Sequence, residues 1–170
     1  KYRMVIDSYS FIPVLNTPSQ LTSFIDFHQT KKACLQIDIG MKRLGFQDNE
    51  LKKYKKTISK LNLDLLIGHL SCADEKGNPT NSSELLYFNS KTNKLKNFNR
   101  SIAASHGIFL GQLYHFNVTR PGIALFGGVR EKNLLDVINI ELPVLQSHYL
   151  EPDDGVGYGL TYKAKTKKRV

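Results

Sequence analysis

The stretch Cys34-Leu35-Gln36-Ile37-Asp38-Ile39-Gly40-Met41-Lys42-Arg43-Leu44-Gly45-Phe46 decides the fold. Its first part, residues 34–37, is a short and mainly apolar run, which predicts a buried strand. The part that follows carries charged side chains between two glycines, as expected of a loop. In parallel α/β barrels the loops after the strands carry the chemistry. Residues 38–46 are therefore the first candidate part of a functional site.

The same alternation of strand and helix continues on both sides of this stretch. Further strands are predicted at residues 11–15, 65–68, 100–104 and 123–125. Helices are predicted between them, at residues 18–29, 48–61 and 82–95, with Thr17 and Asp48 as the N-caps of the first two. This order predicts the α/β class and, within it, a partial (β/α)8 TIM-type barrel that corresponds to the C-terminal part of the barrel.

The pattern changes near Asn133. Residues 137–140 and 144–149 alternate apolar and polar side chains without an intervening helix, which favours antiparallel strands. We therefore predict two domains, a partial barrel over residues 1–130 and the start of a C-terminal β domain over residues 131–170. A complete barrel takes about 250 residues and rarely fewer than about 200, so the N-terminal side of the barrel is expected to be missing.

Composition and charge limit the classes of function that the chain can have. The chain has 170 residues, of which 41% are hydrophobic and 23% charged, as is usual for soluble globular proteins. No apolar run reaches the ~18–20 residues of a membrane span, and the start of the chain does not resemble a signal peptide. Cys34 and Cys72 are far apart and indicate no disulfide framework, which suits a reducing cytoplasm.

The net charge of +9 is the only feature that points toward nucleic acid. Its basic residues cluster at 52–56 and 163–169. No nucleic-acid-binding motif surrounds either cluster, so a solvated helix face and an exposed end explain them better.

Four further segments after predicted strands or in the β part carry distinctive residues. They are His69-Leu70-Ser71-Cys72-Ala73-Asp74-Glu75, Ser101-Ile102-Ala103-Ala104-Ser105-His106-Gly107-Ile108-Phe109, Arg120-Pro121-Gly122-Ile123-Ala124-Leu125-Phe126-Gly127 and Gly155-Val156-Gly157-Tyr158-Gly159-Leu160-Thr161-Tyr162. Together with residues 38–46, and in this order, they resemble the alanine racemase family over nearly the whole chain.

That resemblance implies a cytoplasmic isomerase that interconverts L- and D-alanine with pyridoxal 5'-phosphate and supplies D-alanine for peptidoglycan. Racemisation would use two bases on opposite faces of the substrate. The resemblance further implies a homodimer in which Tyr158 acts at the site of the partner subunit. It indicates no metal, no nucleic acid and no membrane as partners.

The resemblance assigns catalytic roles to three residues. Arg120 would face the pyridine nitrogen of the cofactor and keep it unprotonated, because a guanidinium only donates. His69 would lie between Arg120 and the catalytic tyrosine. Tyr158 would be that tyrosine, and its phenol would need cationic neighbours to lower a pKa that is ordinarily near 10.

It assigns binding roles to four more. Ser105 and the backbone of Gly122 and Ile123 would hold the cofactor phosphate, at a loop of the kind that barrels use for phosphate. Arg43 would bind the substrate carboxylate, for which its planar fork of donors is suited.

The sequence departs from the family in several places. No stretch before Phe11 resembles the strand that carries the family's Schiff-base lysine, and Lys1 is too near the start to replace it. The segment alone is therefore expected to be inactive. Ala104 replaces a usual asparagine, Ile39 a threonine or serine, and Gln36 a carbamylated lysine that orients the arginine at position 43.

Three alternatives stay open. The chain could be a degenerate or split-gene remnant without activity, which the missing lysine favours. It could be related to the single-domain pyridoxal-phosphate carrier proteins, although those lack the segment around Tyr158. A basic nucleic-acid-binding domain rests on net charge alone.

Overall fold

The computed structural model describes residues 2–28, 30–93 and 98–170. The chain divides into two compact units, Lys1–Val137 and Ile138–Val170. Among the described helices none has the length and apolar character that crossing a bilayer requires.

The first unit is built on a parallel sheet with the strand order β1-β2-β3-β4. Helices connect strands that are neighbours both in the sheet and along the chain. The elements are α1 (Tyr2–Tyr9), β1 (Val14–Leu15), α2 (Pro18–Phe27), β2 (Lys32–Gln36), α3 (Asp48–Lys53), α4 (Lys55–Ile58), β3 (Asn62–Ile67), α5 (Pro79–Thr92), β4 (Asn99–Ser101) and α6 (Ser105–Ile108). The predicted α/β class is therefore confirmed.

The core lies where the two central strands meet the helices. Leu35 of β2 pairs in register with Leu15 of β1 and Leu66 of β3, and all three side chains are buried. Phe88 of α5 and Phe46 fill the space beside them and are fully buried. Central parallel strands that are covered on both faces bury their apolar side chains, as Leu35 and Leu66 do, whereas Val14 of β1 is 39% exposed.

Two helix starts follow from local chemistry. Thr17 caps α2 as predicted, since its hydroxyl oxygen accepts from the Gln20 amide at 3.3 Å, and Pro18 opens the helix. Asn78 caps α5 in the same way, accepting from the Thr80 amide at 2.9 Å, so α5 begins at Pro79 rather than Ser82. The predicted ends of these helices, at 29 and 95, lie outside the described residues.

The helix predicted over residues 48–61 is two short helices that meet at Tyr54. The predicted cap is wrong by one residue, because Gln47 occupies the N-cap position and its amide donates to Glu50 Oε2 at 3.0 Å. The carboxylate of Asp48 is engaged elsewhere, since it forms an ion pair with Lys91.

Two predicted strands differ in the structure. The strand expected over 100–104 is shorter, Asn99–Ser101, and Ala104 makes only an isolated bridge with Arg120. The strand expected at 123–125 is wrong, because Ile123–Phe126 is a 3-10 helix with exposed apolar side chains. The chain curls there because the Gly122 and Ala124 amides both donate to the Ser105 hydroxyl. Helix α1 was not predicted.

The second unit holds two short antiparallel pairs and a 3-10 helix, Tyr158–Leu160. β5 (Tyr149–Leu150) pairs with β8 (Lys168–Arg169), and β6 (Gly155–Val156) pairs with β7 (Tyr162–Lys163). The strand predicted at 137–140 is not formed. Of the strand predicted at 144–149 only Tyr149 lies in a strand, and Leu145 is 94% exposed. Alternation makes a strand only where a second strand completes the hydrogen-bond ladder, and no described segment does so. The start of a C-terminal β domain over residues 131–170 stays a prediction.

Truncation of a core leucine should test this packing. Leu35→Ala removes a fully buried side chain between two strands, so the free energy of unfolding should fall by about 2–5 kcal/mol in a urea titration. Leu86→Ala on α5 is the matched control, because that side chain is 70% exposed. An equal loss from both substitutions would contradict the core described above.

Candidate functional site

The carboxyl ends of β2, β3 and β4 lie side by side. Gln36 is in register with Ile67, and Ile67 with Ser101, so the loops that follow these strands emerge at one edge of the sheet. A cavity of about 420 Å³ opens there. The side chains and backbone that line it include His69, Ser105, Arg120, Gly122 and Ile123, all of which the sequence singled out.

Arg120 ties two strand ends together. One guanidinium nitrogen, Nη2, donates to the Gly68 carbonyl at 2.8 Å, and Nη1 donates to the Ser101 hydroxyl. Its own amide donates to the Ala103 carbonyl at 2.9 Å. Burial lowers the pKa of Arg120 from its ordinary value, yet a guanidinium stays charged in proteins. None of the ion pairs among the described residues involves Arg120, so its charge is left for the cavity.

His69 accepts from Arg120. The distance from Arg120 Nη2 to His69 Nδ1 is 3.4 Å. Because a guanidinium has only donors, Nδ1 must be unprotonated, and the ring proton of the neutral form lies on Nε2. Burial lowers the pKa of His69 most, and the charges of Arg120 and Arg43 lower it further. His69 is therefore neutral at physiological pH.

Arg43 lies on a tightly folded loop. The Asp38 carboxylate accepts from the amides of Gly40 and Lys42, at 3.1 and 3.0 Å. Gly45 has a φ of +111°, and a Cβ there would lie 2.6 Å from the Asp38 amide nitrogen, so only glycine fits. The Arg43 side chain is exposed and near enough to act on the pKa of His69.

Of the three departures from the family pattern, only two have a visible role. The Gln36 amide donates to the Leu44 carbonyl at 3.2 Å and so supports the residue next to Arg43. Ile39 is buried, and its side chain lies 3.2 Å from where a Cβ of Gly68 would be. Ala104 lines the cavity without a polar group.

The Ser105 hydroxyl collects two backbone donors. Its oxygen accepts from the amide of Gly122 at 2.8 Å and from that of Ala124 at 3.1 Å. The sequence had singled out the Ile123 backbone beside Gly122 and had missed Ala124. Two amides and a hydroxyl that converge at the edge of a cavity form a donor set suited to an anion such as phosphate.

Tyr158 belongs to the second unit and its side chain is fully exposed. It is the first residue of a 3-10 helix and lies between Gly157 and Gly159. The φ angles of these two residues, +74° and +70°, favour glycine.

Sequence reasoning gave no role to Ser101 or Ser71, although both occur in the segments it singled out. Ser101 is fully buried and bonds Arg120, and Ser71 lines the cavity. Their only sequence signal is a hydroxyl within a predicted strand, for Ser101, or in the loop after one, for Ser71, and both positions also suit a structural role.

Comparison with known proteins gives a consistent result. The family described as "Alanine racemase, N-terminal domain" matches residues 2–130. An alanine racemase of Ruegeria sp. (strain TM1040) is 35% identical over 166 residues, which are 98% of this chain and 48% of the relative. One of Rickettsia bellii is 32% identical and is covered over 41% of its length. The chain thus spans about half the length of the curated relatives it matches.

Solved structures agree with the fold. Alanine racemase from Bartonella henselae, with covalently bound pyridoxal phosphate, has a TM-score of 0.79 and 29% identity over 99% of this chain and 50% of its own. Alanine racemase from Acinetobacter baumannii has a TM-score of 0.83 over 98% of this chain and 50% of its own, and its 24% identity supports the fold alone.

The contacts of His69 predict how its pKa should respond to the loss of a neighbouring charge. Arg120→Met removes the nearest charge, so the pKa of His69 should rise toward the ordinary 6.5, measured by NMR of the imidazole. Arg130→Met is the control, because the charge of Arg130 does not act on His69. An unchanged pKa in Arg120→Met would contradict the contact.

The same shift has a consequence for stability. Since the folded pKa lies below the unfolded one, the unfolded chain binds the extra proton first, and stability falls as the pH drops below 6.5. This fall should be smaller in Arg120→Met than in the wild type.

Proposed function

The chain belongs to the alanine racemase family, and we propose that it forms the C-terminal part of the barrel and the start of the β domain of a pyridoxal-phosphate-dependent alanine racemase. The observation that carries the proposal is one cavity with two partners for such a cofactor. Arg120, which is paired with neutral His69, lines this cavity, and so do Ser105 and Gly122, whose amide donates to the Ser105 hydroxyl.

The residues present fit pyridoxal phosphate. Ser105 with the backbone of Gly122 and Ile123 would hold the phosphate, and the Ala124 amide adds a donor. Arg120 would hold the pyridine nitrogen. When bound, the cofactor withdraws electrons from the α-carbon of an amino acid and makes its proton easier to remove. The Bartonella henselae protein, which contains this cofactor, supports the assignment.

Arg120 would set the protonation of the ring nitrogen. A guanidinium has no acceptor and does not give up its proton, so a nitrogen that faces it stays unprotonated and accepts a hydrogen bond with its lone pair. Its bonds to Gly68 and Ser101 hold the guanidinium in place for this task. An unprotonated ring withdraws electrons less strongly, which favours proton return to the same carbon over side reactions.

Tyr158 would donate and accept the proton on one face of the substrate. A phenol works near neutral pH only when positive charge stabilises its anion, and the Arg120–His69 pair would supply that charge. The full exposure of Tyr158 supports a residue that completes the cavity of a second subunit, hence a homodimer. Arg43 would bind the carboxylate of alanine through its paired donors.

A remnant without activity is the second candidate. No lysine occurs among the described residues that line the cavity, and Ala104 offers no polar group there. The two candidates separate in the full-length gene product, assayed for conversion of L-alanine to D-alanine with added pyridoxal phosphate. Racemisation supports the enzyme, and its absence from a folded product supports the remnant.

Removal of the proposed acid/base hydroxyl should test Tyr158. In the full-length gene product, Tyr158→Phe should lower kcat by about 10²–10⁴-fold with little change in cofactor binding. Tyr162→Phe is the matched control, because its exposed hydroxyl bonds Lys168 at 2.8 Å, and its kcat should stay within about twofold of the wild type. Equal losses would contradict the role of Tyr158.

The 170 residues alone should hold the cofactor without a covalent bond. After borohydride reduction and peptide mapping, no single lysine should carry the cofactor, because none is among the described residues that line the cavity. A unique modified lysine would show that the chain supplies its own attachment point.

A further inference from the structure

Helix α5 carries an unusual buried face. Its inaccessible side chains are Asn81, Glu84, Phe88 and Thr92, which recur at helical spacing. Glu84 is only 3% exposed. A buried carboxylate is costly unless hydrogen bonds satisfy it, so its partners show what the position is for.

Both oxygens of Glu84 bind one residue of the loop after β3. Oε2 accepts from the Ser71 amide at 2.9 Å, and Oε1 accepts from the Ser71 hydroxyl at 2.6 Å. No ion pair among the described residues involves Glu84, so these bonds are what compensates its charge there. Ser71 lines the cavity two residues after His69.

The loop after β2 packs against the same carboxylate. A Cβ at Gly40 would lie 2.2 Å from Glu84 Oε1, far inside any real contact. The residue that follows, Met41, lines the cavity. Glu84 therefore lies between the two loops, bonded to one and in close contact with the other.

Neighbours of Glu84 on α5 hold the rest of the loop after β3. Asn81 donates to the Glu75 carbonyl at 2.9 Å, and the Phe88 ring lies 3.1 Å from where a Cβ of Gly68 would be. Helix α5 thus contacts this loop in three places. Phe88 contacts its start at Gly68, Glu84 bonds Ser71, and Asn81 bonds its end at Glu75.

We propose that Glu84 is a positioning residue, which acts through Ser71 and Gly40 to keep the loops after β2 and β3 in the arrangement that places His69 against Arg120. The effect on catalysis rests on the proposed function, whereas the effect on the loops does not. Glu84 also adds a negative charge that opposes Arg120 and Arg43 at His69.

Two substitutions separate the bonds of Glu84 from its charge. Glu84→Gln keeps an oxygen for the Ser71 amide and an amide group for its hydroxyl, whereas Glu84→Ala keeps neither. Glu75→Gln is the matched control, since Glu75 is exposed and does not act on the pKa of His69.

Loop order is read by amide hydrogen exchange of the full-length gene product. The Ser71 amide should stay protected in the wild type, in Glu84→Gln and in Glu75→Gln, and exchange faster in Glu84→Ala by about tenfold or more. Gly40→Ala should have the same effect, because its methyl group would displace the carboxylate. Unchanged exchange in Glu84→Ala would overturn the proposal, even if that variant were less stable.

The charge of Glu84 is read at His69 by NMR. Glu84→Gln should lower the imidazole pKa further below its wild-type value, and Glu75→Gln should leave it unchanged. A merely structural residue would not produce this difference, so its absence would overturn the electrostatic part of the proposal.

Activity gives the third readout. Glu84→Ala should reduce kcat by about 10–100-fold with a smaller change in KM, because displacing a reacting group by about 1 Å has effects of this size. Glu84→Gln should restore most of the rate. If the wild type does not racemise alanine, the proposed function fails, while exchange and titration still decide the role of Glu84. Equal kcat in all variants would overturn positioning.

Discussion

The site depends on the half-buried guanidinium of Arg120. Arg120 bonds the carbonyl of Gly68, which directly follows β3, and the hydroxyl of Ser101, which ends β4. One side chain thus links the ends of two strands to the segment after α6. The same group is the main positive charge in the cavity and the donor to His69. Arg120 therefore helps to orient the neighbouring imidazole and, together with burial, keeps it neutral. A lysine, with a single ammonium, could not reproduce these bonds and their planar geometry.

The sheet could be predicted because its pattern is local. Residues 34–37 and 65–68 are apolar runs that only burial between helices explains, and both are strands or strand ends. The start of α2 could also be predicted, because the Thr17 side chain caps a helix and Pro18 suits its first position. The 3-10 helix at Ile123–Phe126 could not be predicted, because its shape depends on Ser105, which is distant in sequence. Residues 137–140 and 144–149 alternate like strands, but a ladder needs a partner that sequence alternation does not identify.

The candidate site followed a similar division. The resemblance to the family identified His69, Ser105, Arg120, Gly122 and Ile123, and in the structure they line one cavity at the edge where neighbouring parallel strands end. Tyr158 lies in another compact unit, so local pattern could not relate it to them. Glu84 escaped notice because it looks like an ordinary polar residue of an amphipathic helix. Only the structure shows that its face of α5 points inward and meets Ser71 and Gly40.

The hydroxyl of Ser105 has a consequence for affinity. Its oxygen already accepts from the Gly122 and Ala124 amides, so these donors are oriented toward one point beforehand. An incoming anion would replace the serine oxygen as the acceptor of these two amides, because the amides already have a hydrogen-bond partner. The free energy of binding would therefore be the difference between two hydrogen-bonded states. Binding would cost little further conformational entropy, because the loop is already ordered. Such a pocket favours fast and reversible binding of the anion, so tight binding would depend on other groups.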